Sequence, residues 1–362
     1  MFTKSRITKN SDVFRDEFSV AFDGSNDYLA LNGSFSYTTH SISTWIKFAD
    51  DSVNKTIFDY RDANDDGIHL YVSTSEQLIY QVNAVDGHYT QSIAPNAWHH
   101  VVATNDGTTS KIYLNGDLVE TANTSSTTIN VSGAEARIGA RSHTSASNYY
   151  QGNISELAFY TSALTANQVK TIYNGREPYN HKEGVASNYL HAWYRMGDGA
   201  LDERNSDTVF TNSGIIADEA SSTLGNNLVT NGTFDADSDW TKGTGWSIGP
   251  GGATATSVSN QELTQDVGVV ADKIYRVSFD MTSYTGGFLS FNVGGGAESY
   301  GFINTGHVYA YQKTTNTNDL RFDDGGPGAL TCSIDNVKVQ EVTGNPALFV
   351  NMGQTDIEGD TP

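Results

Sequence analysis

WHHVVATNDGTTSKIYLNGDLV, residues 98–119, decides the fold class. Trp98, His100 and Val102 alternate onto one face of an extended segment and Asp106-Gly107 interrupts it. Ile112 with Leu114 then resumes the apolar side until Asn115-Gly116 turns the chain again. Asn-Gly and Asp-Gly suit a type I′ turn because both central residues need positive φ, which Gly and Asn adopt with least strain. The stretch reads as a half-buried antiparallel hairpin, and an all-β class follows.

Outward from this hairpin the pattern repeats. FSVAFDG, YLAL and HSISTWIKFAD precede it from Phe18 onward, with Trp45 and Phe48 read as core, and KTIFDY, GIHLYV and QLIYQV continue the series. ARIGAR and QGNISELAFY come after it. One helix is expected: Thr165 with Gln168 fits a capping box, Val169 and Ile172 give an apolar face, and Asn174-Gly175 followed by Pro178 ends it.

Composition fits this class. A chain of 362 residues suggests about two domains. Its 35 Gly, 19 Tyr and 16 Phe suit many short strands joined by tight turns. With 42 acidic against 21 basic residues the net charge is -21, which argues against nucleic acid, since phosphate-backbone binding depends on Lys and Arg. Cys332 is the single cysteine, so no intrachain disulfide forms. No window approaches about 18 apolar residues, so no membrane insertion is expected, and the first residues lack the apolar region of a signal peptide. The content nevertheless looks extracellular in style. A chain folded in a host cytoplasm and working outside it, as in an assembled particle, resolves that tension. Lys4, Arg6, Lys9 and Arg15 make residues 1–16 a basic N-terminal arm suited to docking on acidic neighbours.

Between KTIFDY and GIHLYV, Asp62, Asn64 and Asp66 alternate ahead of Gly67, as in the first half of a calcium loop. Ser73 stands where a helix-loop-helix site needs Glu, and the flanks are strands. That leaves a looser oxygen-rich calcium site or a plain acidic turn.

FDGSNDYLAL at 22–31, NAWHHVVAT at 96–104, KIYLNGDLV at 111–119 and GNISELAFYTSALTANQVKTIYN at 152–174 succeed one another in an order that resembles laminin-G-like, concanavalin A-like lectin domains. The resemblance spans residues 17–180. It implies a jelly-roll sandwich of two antiparallel sheets, used for glycan or protein recognition and often carrying calcium on a rim. Residues 181–226 lose the alternation and read as a wrapping segment and linker, anchored by Trp193, Tyr194 and Met196. This segment resembles the one that trails such domains in proteins of marine bacteriophages. The tail, 343–362, looks like its continuation, which makes the second domain, 227–342, an insertion.

The second domain opens with NGTF followed by Trp and closes with IDNVKV, and so resembles the carbohydrate-binding modules of xylanases and glucanases, also jelly rolls. The resemblance implies a structural calcium where the first and last strands meet, carried over here to Asp235 and Asp335. Sugar binding by such modules needs flat aromatic faces, for which Trp240, Trp246, Tyr284 and Tyr300 are candidates. Trp246 is preferred because it lies in the Gly-rich turn GTGWSIGPGG.

Catalysis has little support. Glycoside hydrolysis needs two carboxylates about 5 to 9 Å apart, and the glucanases of this sandwich place them as Glu-x-Asp-x-x-Glu on one strand. Glu358 and Asp360 come nearest, at a chain end expected to fray. No Gly-x-Ser-x-Gly elbow or His-Glu-x-x-His pair appears, and His99 and His100, adjacent on a strand, face opposite sides. The expectation is a non-enzymatic virion protein of a bacteriophage, of capsid-decoration, head-fibre or tail-fibre type. It would occur in several copies, contacting other virion proteins and host-surface glycans, with calcium as candidate cofactor. Two rivals stay open: a bacterial surface adhesin, and a glycan hydrolase with unusual carboxylates.

Overall fold

A computed structural model describes residues 14–50, 52–83, 85–88, 91–123, 129, 131, 133–142, 145–177, 179–202, 214–296, 299–317 and 319–362. Those residues form two β-sandwiches, the second inserted into the first. Pro178 and residues 1–13 of the basic arm lie outside them. No helix among the described residues is long and apolar enough to cross a membrane.

The first sandwich has two sheets. One is centred on His40–Phe48 and Gln151–Tyr160. His99–Asn105, Thr109–Leu114 and Asp117–Asn123 extend it on one side, and Ser19–Asp23 with Ile357–Glu358 on the other. The facing sheet runs Ile215–Ile216, Ala347–Val350, Tyr28–Leu31, Ala136–Ile138, Lys55–Arg61, Gly67–Val72, Leu78–Val82, Val85–His88. Between the sheets Ile42, Ile46, Phe58, Leu70, Tyr80 and Phe159 are fully buried.

The hairpin closes as its dipeptide requires: Asn115 and Gly116 both have positive φ, 51° and 85°. The other turn is different. Asp106 accepts from the amides of Thr108 and Thr109, so a side chain closes that loop and only Gly107 has positive φ. The facing of the strands also differs from the alternation. Val101 pairs with Leu114 and Ala103 with Ile112 on the face toward the main core, whereas His100, Val102 and Tyr113 lie on the opposite face. That second face is buried as well, because the helix Ala166–Tyr173 covers it with Val169 and Ile172. Thr165 and Gln168 cap that helix reciprocally, and Asn174 ends it in the left-handed region.

Residues beyond the helix remain part of this sandwich. Leu190–Tyr194 pairs with Gln151–Tyr160 and buries Trp193 and Tyr194, with Met196 just after it. Ala347–Val350 fills the position between Ile215–Ile216 and Tyr28–Leu31. The chain end is docked and does not fray: Glu358 pairs with Ser19, and Asp360 accepts from the Trp98 indole at 3.0 Å and from Lys47.

The inserted sandwich leaves and rejoins the first through two strands that pair with each other, Thr223–Asn227 and Leu330–Thr343. Ile215, Ile274, Tyr311 and Val342 form a small apolar cluster at this junction. One sheet adds Trp246–Gly249, Gly252–Val258, Ile274–Gly286 and Gly306–Lys313 to these. The other runs Thr241–Lys242, Leu263–Gln265, Leu320–Asp324, Leu289–Asn292, Ser299–Phe302. Phe279, Phe291, Phe302 and Phe322 interlock between them with centroids 5.2 to 6.1 Å apart.

Candidate functional site

In the five-stranded sheet, Leu263, Phe322 and Phe291 occupy one cross-strand row and point into the core. The next row has the opposite facing. It consists of Thr241, Thr264, Arg321 and Asn292, each directly opposite its neighbour on the adjacent strand. Three interstrand steps of about 4.8 Å make this a polar track about 14 Å long. Two hollows lie along it, of about 320 Å³ and 280 Å³, and they share Glu262 and Thr264 as common wall. Asn292, Thr317, Asp319 and Arg321 complete the first, and Lys242, Asn260 and Gln261 line the second.

The charges along the track are largely paired. Arg321 lies 3.0 Å from Asp323 and 3.5 Å from Glu262, and Lys242 pairs with Asp237. Asp323 also accepts from Ser290, and Asn292 donates to the carbonyl of Gly296. Gln261 accepts from the Thr244 amide at 3.0 Å, and the Asn260 amide donates to Asp324 at 2.8 Å. Much of the wall is therefore built from side chains whose partners lie within the module. Such a surface offers amides, hydroxyls and carboxylates in fixed directions, a set suited to pairs of ligand hydroxyls.

The aromatic candidates sit beneath the track or away from it. Trp246 is 6% exposed and buried against the core, and its indole donates to the Gln261 carbonyl at 3.3 Å. This corrects the platform expected from its Gly-rich turn, because a covered ring has no free face for a sugar. Trp240, 8% exposed, donates to the Asn231 carbonyl at 3.1 Å and packs on Phe234 and Phe322, which corrects its reading in the same way. Tyr284 is half-buried against the core with its hydroxyl on the Gly287 carbonyl at 2.8 Å. Tyr300 falls in Ser299–Phe302, and its side chain lies outside the described residues.

The acidic candidates do not assemble into a metal site. Asp62 uses one carboxylate oxygen to accept from the amides of Asn64 and Asp66, at 2.8 and 3.3 Å, so it closes its own turn. The neighbouring Asp65 is held by two guanidiniums, Arg61 at 2.9 Å and Arg141 at 3.4 Å. Arg61 is itself buried against Asp59, which also accepts from Ser142 at 2.6 Å. With guanidinium charge already at this rim, the residues do not fit a calcium ion. In the inserted sandwich Asp235 accepts from Thr233, and Asp335 accepts from the Asn336 amide. Among the described residues no three His, Cys, Asp or Glu side chains are placed to hold a metal ion.

Buried polar groups of the first sandwich have structural settings. Ser43 and His100 are 2.9 Å apart, but both are about 1% exposed and no substrate reaches them; burial holds the imidazole down at about 3. Burial and then Asp198 push Asp16 up to about 7, and burial raises Glu156 well above the carboxylate range. These two carboxylates, with Arg195, fasten the start of the chain. Arg195 donates to Glu156 and to the Arg15 carbonyl, and Asp198 accepts from the amides of Glu17 and Phe18.

Residues 23–170 match the family model of the concanavalin A-like lectin/glucanases superfamily. No curated protein sequence matches the chain. Among solved structures it is similar to a protein of Bacteroides ovatus assigned to carbohydrate binding, at 17% identity and a TM-score of 0.45, over 57% of this chain and 56% of that one. The chain thus spans just over half the length of that protein. It is also similar to the heptameric pentraxin of Limulus polyphemus, at 21% identity and a TM-score of 0.39, over 48% and 86% of the two chains. A third is domain 4 of an extracellular arabinanase of Geobacillus stearothermophilus, at 20% identity and 0.35, over 43% and 76%.

Proposed function

We propose that this protein binds glycans without cleaving them, and that the polar track of the inserted sandwich is the surface that does so. The observation that carries this reading is the row Thr241, Thr264, Arg321, Asn292, flanked by two hollows with a shared wall. A continuous line of hydrogen-bonding side chains on a rigid sheet holds a linear ligand at several points, which suits an oligosaccharide better than a compact metabolite. The lectin-like character of residues 23–170 supports the same class of ligand.

Thr264→Trp tests this directly, because the indole fills the centre of the track while the inward row beneath is untouched. Calorimetry or a glycan array with the whole chain is expected to show binding that this variant abolishes. Binding that persists undiminished in a folded variant puts the glycan elsewhere.

The setting we propose is a bacteriophage particle, with several copies of the chain meeting host-surface glycans. It rests on the resemblance of residues 181–226 to segments of marine phage proteins. Mass spectrometry of purified particles tests it, and recovery of the chain only from host surface fractions would overturn it.

A further inference from the structure

We infer that the ligand of this track is an uncharged, hydroxyl-rich saccharide gripped along its edge by hydrogen bonds, and not an acidic glycan or one stacked on an aromatic face. The inference rests on the glycan reading above and narrows it to a chemical class.

Charge decides the first half. The two cations lining the hollows are already engaged, Arg321 by Asp323 and Glu262, Lys242 by Asp237. Asp319, exposed on the wall, has no ion-pair partner among the described residues. Asp324 stands on the same strand as Arg321 and Asp323. The uncompensated charge beside the track is therefore negative, on a chain whose net charge is -21. A uronate or sialate carboxylate laid here meets like charge within a Debye length of about 10 Å, and its only cations would have to abandon their own carboxylates. Neutral hydroxyls face no such cost, since each both donates and accepts.

The facing of the sheet decides the second half. Among the described residues, the aromatic side chains of this sheet and beside it lie in the inward row or under the wall, as Phe291, Phe322, Trp240 and Trp246 all do. Among the described residues lining the two hollows none is aromatic. Recognition is left to the hydroxyl of Thr264, the amide of Asn292 and the carboxylates of Glu262 and Asp319. These groups contact hydroxyl pairs at the rim of a pyranose ring, not its face.

The whole chain, titrated calorimetrically with neutral oligosaccharides and with oligogalacturonate and sialyllactose, separates the outcomes. Neutral sugars are expected to bind exothermically, with affinity insensitive to salt and no change in tryptophan fluorescence. Asp319→Lys, at an exposed position, is expected to raise affinity for the acidic sugars and, by removing one carboxylate acceptor, to weaken binding of the neutral ones. Tighter binding of acidic sugars by the unaltered protein, weakening with salt, overturns the inference and leaves the glycan reading standing. Quenching of tryptophan fluorescence that survives Thr264→Trp likewise points to an aromatic platform elsewhere. Failure of every sugar in both classes to bind overturns the glycan reading, and this inference with it.

Discussion

The indole nitrogen of Trp246 donates to the backbone carbonyl of Gln261 at 3.3 Å, which places the ring behind the wall of the second hollow and not in it. Trp246→Ala is therefore expected to act on the fold. Emptying this space costs about 3–5 kcal/mol, as for other buried tryptophans. Circular-dichroism melts of the Ala and Phe variants check this: Phe retains glycan binding at temperatures where the module stays folded. Loss of binding in a Phe variant of unchanged stability would instead assign the ring a ligand.

Arg61 and Asp59 form a buried pair at the rim, 4% and 0% exposed, with Nη2 to Oδ2 at 2.6 Å. Arg61→Ala leaves a carboxylate buried without its cation and is expected to destabilise the protein by about 3–5 kcal/mol. The double variant Asp59→Asn with Arg61→Met should recover much of the loss. Denaturant titrations of the three proteins read this out.

Because Asp62 closes its own turn and Asp65 is held by two arginines, chelation of divalent cations is expected to leave the melting temperature unchanged. A ligand bound to the folded state alone must stabilise it, so a downward shift with chelator would reveal a metal site.

Asp16 supplies a pH test. Its folded pKa, about 7, lies above its ordinary value of 3.8, first through burial and then through Asp198. A raised carboxyl contributes stability that is fully present below its unfolded pKa and is lost as pH rises through the folded one. Glu156, Asp198 and Arg195 are the charged groups facing it, and Ser155 bonds it at 3.1 Å. Asp16→Asn keeps the neutral shape at every pH. It is expected to be more stable than the unaltered protein at pH above 7 and to lose that advantage as pH falls toward 4, as measured by urea unfolding at both ends.

The hairpin and its Asn115-Gly116 turn are legible in the sequence because positive φ is a local demand that few residues meet. The facing of His100 and Val102 is not. Period-two alternation separates core from solvent only when one face is wet, and here the helix Ala166–Tyr173 buries the other. Trp246 misleads for a related reason. Glycines around it suggest exposure, while its cover, including Ala255 on the paired strand, comes from further along the chain. The polar track depends on three strand registers joining residues from 241 to 321, so no stretch of sequence displays it.

The strand Tyr28–Leu31 has one edge occupied by Ala347–Val350, from the far end of the chain. During synthesis that edge stays open until the inserted sandwich has left the ribosome, so the module made second is the first able to finish folding. The earlier sandwich waits as an incomplete sheet whose bare edge is a template for pairing with another copy. A nascent chain stalled before residue 347 is thus the species most exposed to aggregation, and Ala347–Val350 acts as a late stave slotted between two that are already standing.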